Sequence, residues 1–205
     1  MKILQILSSA LAANSVSTKL SNAIVEKLKA ANTGSSVIIK DLGAIQPPHL
    51  NMNILGSLST PVDARTPEQK LATAFSRESI AEIIDADVIV VGLAFYNFSL
   101  PSVLKAWIDH ISLARVTFRY DEHGQQIGLL QNKPVYVAIA SGGIYRTEPM
   151  EAMDFAKNYF ALAMKTIGLA DTRFFIADGM GVHGYKDTSL QNAIESIDIS
   201  YVKKL

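Results

Sequence analysis

Apolar residues in the chain form five short runs, separated by stretches in which apolar positions recur every three or four residues. Short runs rich in β-branched side chains predict strands, and the intervening periodicity predicts helices. This alternation is typical of an α/β protein whose parallel sheet is covered by helices on both faces. The predicted strands are Ile3 to Leu7, Val37 to Lys40, Asp87 to Ala94, Pro134 to Ala140 and Arg173 to Ala177.

The same pattern predicts where the first three helices begin and end. The first begins near Ser17 and ends around Asn32 to Gly34. The second begins after Thr66, because a Thr-Pro-Glu-Gln sequence combines a threonine cap, a proline at the first helical position and a capping-box glutamine. The third is expected to start with Ser99 or Ser102 as its cap.

Two more helices and two insertions complete the predicted order. The fourth helix runs from about Pro149 to Ile167 and closes at Gly168. The fifth has one apolar stripe, formed by Leu190, Ala193, Ile194, Ile197 and Tyr201. The insertion from Asp41 to Arg65 is too apolar for a solvated loop, which favours subunit packing; the insertion from Arg115 to Gln131 predicts a small hairpin.

Composition narrows the function. The 205 residues, about half of them apolar, fit one domain spanning 1–205. Equal numbers of cationic and anionic residues, 19 of each, argue against a nucleic-acid partner and favour small molecules. The lack of cysteine excludes disulfides and thiolate chemistry and is compatible with the cytoplasm. No apolar run is long enough to span a membrane, and the four histidines lack metal-ligand spacing, so no metal is expected.

The expected strand order is 2-1-3-4-5, which brings the loops after the first, third and fourth strands to one edge of the sheet. The first of these loops is rich in hydroxyls, with Ser9, Ser15 and Ser17 directly before or within the start of a helix. Two interpretations are open. The serines cap the helix in the ordinary way, or they join its free N–H groups and dipole in binding a phosphate.

The second loop carries Phe95, Tyr96, Asn97 and Phe98 between an apolar strand and an amphipathic helix. Here too, two interpretations are open, because the aromatic side chains either cover the core or form a wall for a planar ligand. The third loop, Ala140 to Gly143, has adjacent glycines that allow the backbone to approach a ligand closely. A phosphate site, an aromatic wall and a glycine-rich edge together match the parts of flavin mononucleotide, FMN.

These residues resemble the FMN-dependent NADH-azoreductase family, flavodoxin-like reductases of quinones and azo compounds, over nearly the whole chain. The family's strand-end pattern appears as Phe95 to Phe98, with Phe where Met is usual, and Val116 to Tyr120 also match. The resemblance implies that Ser9 and the segment Ser15, Val16 and Ser17 hold the FMN phosphate. It also implies that Phe95, Tyr96, Asn97 and Phe98 hold the ribityl chain and ring.

One segment departs from the family. Its usual Ser-Arg-Gly-Gly is replaced by Ala140, Ser141, Gly142 and Gly143, which removes a hydroxyl contact and a positive charge, although backbone contacts to the flavin remain available. The resemblance further implies a homodimer with one tightly bound FMN per subunit at the interface. Phe118 or Tyr120 is then expected to reach the neighbouring site and line it for substrate.

The chemistry implied is hydride transfer from NADH through the flavin to a quinone or an aromatic azo compound, which is cleaved to amines. No catalytic side chain is expected, since Asn97 and nearby backbone groups need only tune the ring, and the kinetics should be ping-pong. A non-enzymatic flavodoxin-type electron carrier is the alternative; its usual acidity is missing here.

Other classes fit the residues poorly. The glycines Gly179, Gly181 and Gly184 spell G-x-G-x-x-G, but no further strand follows to complete a dinucleotide site, so a glycine-rich turn is expected. A response-regulator receiver needs acidic residues where serines and aromatics stand. Neither a hydrolase elbow nor a nucleoside-triphosphate loop is present.

Overall fold

The computed structural model of the chain describes residues 1–200. Within this range the strands are β1 (Lys2–Leu7), β2 (Ser36–Asp41), β3 (Val88–Ala94), β4 (Phe118–Tyr120), β5 (Gln126–Gly128), β6 (Val135–Ala140) and β7 (Thr172–Ala177). The α-helices are α1 (Val16–Ala31), α2 (Leu42–Ile45), α3 (Met52–Ser59), α4 (Pro67–Ala72), α5 (Ala74–Asp85), α6 (Ser102–Ile111), α7 (Phe155–Ile167) and α8 (Lys186–Glu195).

Five strands form one parallel sheet in the order β2-β1-β3-β6-β7. This is the predicted flavodoxin-like order, because β4 and β5 lie outside the sheet. Every residue of β3 is buried, as expected for a central strand covered on both faces. Residues of α5, α6 and α7, among them Trp107 and Phe160, cover one face, and residues of α1 and α8, among them Leu20 and Ile24, cover the other.

The second predicted helix is two helices. Its capping box is confirmed, since Thr66 accepts from the Gln69 N–H and the Gln69 side chain accepts from the Thr66 N–H. The helix is interrupted at Thr73, whose hydroxyl donates to the Gln69 carbonyl and whose backbone leaves helical geometry at φ −98° and ψ 2°.

The predicted cap of the third helix and the predicted start of the fourth are wrong. Neither Ser99 nor Ser102 caps α6: Pro101 is the N-cap, and it has no side-chain bond to offer. The Ser99 backbone is instead engaged in a turn with Tyr96. Helix α7 begins at Phe155 rather than near Pro149, because Asp154 caps it by accepting from the Lys157 N–H, and a short 3₁₀ turn precedes it.

Helix α8 is shorter than its apolar stripe. It ends at Glu195, so Ile197 packs against the core from beyond the helix, and Tyr201 lies outside the described residues. Helix α7 closes at Gly168 in left-handed geometry, as predicted. Among residues 1–200, no helix combines the length and apolar character needed to cross a membrane.

Both insertions are structured. The second forms the predicted hairpin, β4 paired antiparallel with β5. The first carries α2 and α3 and is attached to the body by His110, which lies on α6 and is buried. Its Nε2 bonds the Pro48 carbonyl at 2.8 Å, and its Nδ1 bonds the Ser76 hydroxyl at 2.6 Å. Met52, Leu55 and Val62 of this insertion remain exposed.

Candidate functional site at the carboxyl edge of the sheet

Three loops meet at the carboxyl ends of β1, β3 and β6. The Ser9 hydroxyl and the Tyr96 phenol are 3.0 Å apart, which joins the first loop to the second. The Phe95 N–H donates to the Ala140 carbonyl at 2.9 Å, which joins the second loop to the third. The structure thus places the predicted site residues of all three loops side by side.

The start of α1 leaves its backbone donors free. Ser15 is the N-cap, but its hydroxyl lies 3.0 Å from the Ser17 hydroxyl and caps no backbone N–H. The first helical bond is made by Lys19, so the N–H groups of Val16, Ser17 and Thr18 have no acceptor within residues 1–200. The interpretation that these serines simply cap the helix is therefore wrong. Free donors, buried hydroxyls and the helix dipole instead form an arrangement suited to an anion.

Phe95 to Phe98 form a strained turn. Tyr96 and Ser99 exchange backbone hydrogen bonds of 2.9 and 3.0 Å, and both residues between them have positive φ, 49° at Asn97 and 67° at Phe98. Positive φ at both central residues is typical of a type I′ turn, and a phenylalanine rarely adopts it. Phe95 packs partly against the core, whereas Tyr96 and Phe98 are 36% and 46% exposed. The core-covering interpretation therefore applies to Phe95 alone.

The third loop carries backbone donors that are not used within the described residues. Its carbonyls are occupied, because Gly142 O accepts from Gly181 and Gly143 O accepts from Gly179 and from the Ser141 hydroxyl. The Gly142 and Gly143 N–H groups have no acceptor in the described part of the chain. A Cβ at Gly142 would meet nothing within 4 Å, so the surface beside it is open. The G-x-G-x-x-G segment is a turn that supports this loop, as predicted.

Tyr145 and Arg146 follow shortly after this loop and are not among the predicted site residues. The Tyr145 ring lies 4.5 Å from that of Phe95 and 6.2 Å, edge on, from that of Phe98. Arg146 donates from Nε and Nη2 to both carboxylate oxygens of Asp178, at 2.6 and 2.8 Å, and the Asp178 side chain is 1% exposed. Phe95, Ser141 and these three side chains line one small cavity. The sequence signal that could have identified Arg146 is that no other Lys or Arg lies within 8–15, 95–101 or 141–149.

The predicted substrate-lining residues lie apart from the three loops. Phe118 and Tyr120 are on β4 with their rings 5.8 Å apart, and within residues 1–200 none of their hydrogen bonds or ring contacts reaches those loops. The hairpin instead docks on the end of α7, where the Leu130 N–H donates to the Ile167 carbonyl at 3.0 Å. Tyr120 is 58% exposed.

A second groove lies at the opposite, amino edge of the sheet and has a volume of about 590 Å³. Its charged groups are already satisfied. Asp85 pairs with Lys2 at 2.6 Å, and Lys133 donates to the last carbonyls of α5, including those of Ile83 and Ile84. Burial lowers the Lys133 pKa. The carboxyl edge, in contrast, has backbone N–H groups without an acceptor in the described residues, which makes it the better candidate for a ligand site. Within residues 1–200, no group of His, Asp or Glu could hold a metal ion.

Comparisons with known proteins agree with this geometry. A family described by its flavodoxin-like fold matches residues 1–199. An FMN-dependent NADH:quinone oxidoreductase of Herminiimonas arsenicoxydans is 43% identical over 185 residues, which cover 89% of this chain and 90% of the relative. One from Cellvibrio japonicus is 41% identical, covering 96% of each chain.

A solved structure gives the same answer. The crystal structure of an FMN-dependent NADH-azoreductase from Bacillus anthracis in complex with FMN has a TM-score of 0.84 and 26% identity, covering 99% of this chain and 96% of that one. The predicted resemblance and the expectation of an enzyme are confirmed, and the relatives favour an enzyme over an electron carrier. The chain belongs to the flavodoxin-like family of FMN-dependent NADH:quinone oxidoreductases.

Proposed function

We propose that this chain binds FMN at the three loops, takes reducing equivalents from NADH and reduces quinones, and that it also cleaves aromatic azo compounds to amines. The observation that supports this most directly is the start of α1, where three backbone N–H groups have no acceptor within residues 1–200 and two buried serine hydroxyls bond only each other in that range. A phosphate is the ligand such a set of donors suits best.

The remaining donors fit the other parts of the cofactor. The Ser9 hydroxyl lies 3.0 Å from the Tyr96 phenol, and Asn97 is the next residue of that loop, so the Ser9 hydroxyl and the Asn97 amide are suited to a hydroxylated chain. The free N–H groups of Gly142 and Gly143 suit the polar edge of a flat ring, and Tyr96 and Phe98 suit its apolar face. The missing Ser-Arg pair of the family is thus partly replaced by backbone donors.

The protein's part in the reaction is to position its ligands. When bound, FMN supplies the redox chemistry, accepting a hydride from NADH and passing it to the second substrate. The strained turn at Asn97 and Phe98 fixes the amide and the aromatic face in advance, which lowers the cost of ordering them at each turnover. No side-chain acid, base or nucleophile is required, and the two substrates use one face in succession, which gives ping-pong kinetics.

We further propose that the enzyme is a cytoplasmic homodimer. The exposed apolar residues of the first insertion, Met52, Leu55 and Val62, provide an interface, and the docked hairpin presents Phe118 and Tyr120 to the partner's site. Because no hydrogen bond or ring contact within residues 1–200 joins these two side chains to the loops of their own subunit, we assign them to a partner's site.

The experiment is to purify the protein, record its visible spectrum and follow NADH oxidation with 1,4-benzoquinone and with a simple azo dye. The proposal predicts a yellow protein that oxidises NADH with both acceptors, with parallel double-reciprocal lines. A colourless protein that takes up no FMN contradicts the proposal. A yellow protein that leaves NADH untouched identifies an electron carrier, and converging lines contradict the ping-pong mechanism.

A further inference from the structure

Arg146 is held in one orientation by a buried partner. Both oxygens of Asp178 are bound by its Nε and Nη2 atoms, and Asp178 is in turn fixed because its own carbonyl accepts from the Ser189 hydroxyl at 2.7 Å. A bidentate pair of this kind is strong and directional. The guanidinium therefore cannot swing away from the site without leaving a carboxylate buried and unpaired.

The other edge of the guanidinium is free. Nη1 makes no hydrogen bond within residues 1–200, and the Arg146 side chain is 56% exposed. Tyr145, the preceding residue, packs on Phe95 and Phe98, so Arg146 is the next residue along the chain from this aromatic cluster. Arg146 is also the only Lys or Arg within 8–15, 95–101 and 141–149.

We infer that Arg146 binds an oxyanion of a substrate at the mouth of the site through its free Nη1 edge. This inference rests on the proposed function, since the substrates are those of an FMN-dependent reductase. The oxyanion is either a phosphate of NADH or a carboxylate or sulfonate of an acidic acceptor, because a planar guanidinium edge recognises each of them in the same way.

The pairing with Asp178 determines how Arg146 contributes to substrate binding. Asp178 offsets the charge of Arg146, so little long-range attraction remains, and the contribution of Arg146 is a pair of pre-oriented N–H donors. Its loss therefore raises the KM or Kd of the substrate that carries the oxyanion and leaves kcat nearly unchanged. Lysine cannot replace it, because an ammonium group cannot bond Asp178 in two places and still present a second edge.

The test uses three variants of the holoenzyme. Arg146→Gln removes the guanidinium, and Arg146→Lys keeps a positive charge. The double variant, Arg146→Gln with Asp178→Asn, also removes the buried carboxylate. It therefore separates a binding defect from a folding defect that an unpaired Asp178 would cause in Arg146→Gln alone. Arg77→Gln is the matched control, because Arg77 is also exposed and paired with a carboxylate, on α5. Bound FMN per chain is measured in every variant before any other assay.

Binding and kinetics then identify the source of the oxyanion. Isothermal titration measures the Kd of ADP-ribose and of anthraquinone-2-sulfonate, and KM is measured for NADH, 1,4-benzoquinone and the sulfonated quinone. All three Arg146 variants are expected to weaken one of the two anionic ligands by about ten-fold, with benzoquinone unchanged. A change confined to NADH and ADP-ribose assigns the donor phosphate, and a change confined to the sulfonated quinone assigns the acceptor.

Two results would overturn the inference while leaving the proposed function intact. The first is a wild-type enzyme that turns over normally alongside FMN-replete Arg146 variants whose constants all equal those of Arg77→Gln. The second is loss of FMN in the double variant, which would place Arg146 at the cofactor instead. A wild-type protein that binds no FMN or oxidises no NADH would instead contradict the proposed function.

Discussion

Phe98 and Asn97 show how single residues prepare the site. Both residues have backbone angles in the left-handed region, which costs free energy. Two sets of hydrogen bonds compensate this cost. Tyr96 and Ser99 bond each other, and the Phe98 carbonyl accepts from the Phe155 N–H at 3.2 Å. Strain of this kind persists where the neighbouring structure holds it in place. Here it keeps an amide and an aromatic ring exposed at the edge of the sheet.

Asn97→Gly separates the amide from the backbone. Glycine adopts the left-handed geometry freely, so the turn is kept while the amide is lost. We expect FMN to bind about ten-fold more weakly, with the apo-protein at least as stable as wild type. Fluorescence titration with FMN and thermal unfolding check this, and an unchanged Kd would remove Asn97 from the site.

Ser17→Ala tests the start of α1. The Ser17 side chain is fully buried, and within residues 1–200 its hydroxyl bonds only the Ser15 hydroxyl. Its loss should therefore weaken FMN binding by about ten-fold and alter stability little. Ser57→Ala, a buried helical serine bonded to the Asn53 carbonyl, is the matched control and should leave FMN affinity unchanged. Equal affinities in the two variants would show that α1 does not hold the phosphate.

At the scale of elements, the sequence predicts strands better than helix ends. Strands such as β3 were placed to within a residue, because burial on both faces requires an unbroken apolar run. The break at Thr73 and the late start of α7 at Phe155 depend on single hydroxyl and carboxylate bonds that hydrophobic periodicity does not register. The three loops were predictable from topology, but the pairing of Arg146 with Asp178 spans 32 residues and has no local signal.

His110 links three elements, and its loss should be felt by the first insertion. His110→Ala removes bonds to Ser76 and Pro48 and an edge-on contact with Phe75, so we expect a loss of about 2 to 4 kcal/mol in the free energy of unfolding. Urea unfolding measures it. His49→Ala, at an exposed histidine, should be neutral, and equal stability of the two variants would contradict the link.

The hairpin depends on a close backbone approach. A Cβ at Gly128 would clash with the Gly168 backbone nitrogen, so Gly128→Ala should displace β5 from the end of α7 and lower the free energy of unfolding by about 1 to 3 kcal/mol. The control is Gly56→Ala on α3. A Cβ there meets nothing within 4 Å, so this variant should raise the free energy of unfolding by about 0.5 to 1 kcal/mol. Urea unfolding compares the two, and equal stabilities would contradict this docking. If the hairpin serves a partner's site, activity should also fall in Gly128→Ala.

At the scale of the whole molecule, the exposed apolar surface argues for association. Met52 is 91% exposed and Val62 64%, on an insertion that His110 holds in place. Light scattering after gel filtration should therefore give a dimer, and Met52→Glu should weaken it. Ile84→Glu makes the same kind of change at an exposed apolar residue of α5, outside the first insertion, and should leave the dimer intact. A monomeric wild-type protein would contradict the dimer and the shared site.

The central claim is that three loops at one sheet edge hold an FMN that serves two substrates in turn. Its most direct test is to add NADH anaerobically to the purified holoenzyme, remove the oxidised nucleotide, and then add 1,4-benzoquinone. We expect loss of one FMN equivalent of visible flavin absorbance per chain in the first step and its full return in the second. Flavin absorbance that NADH leaves unchanged, or that returns only while the nucleotide is present, would contradict it.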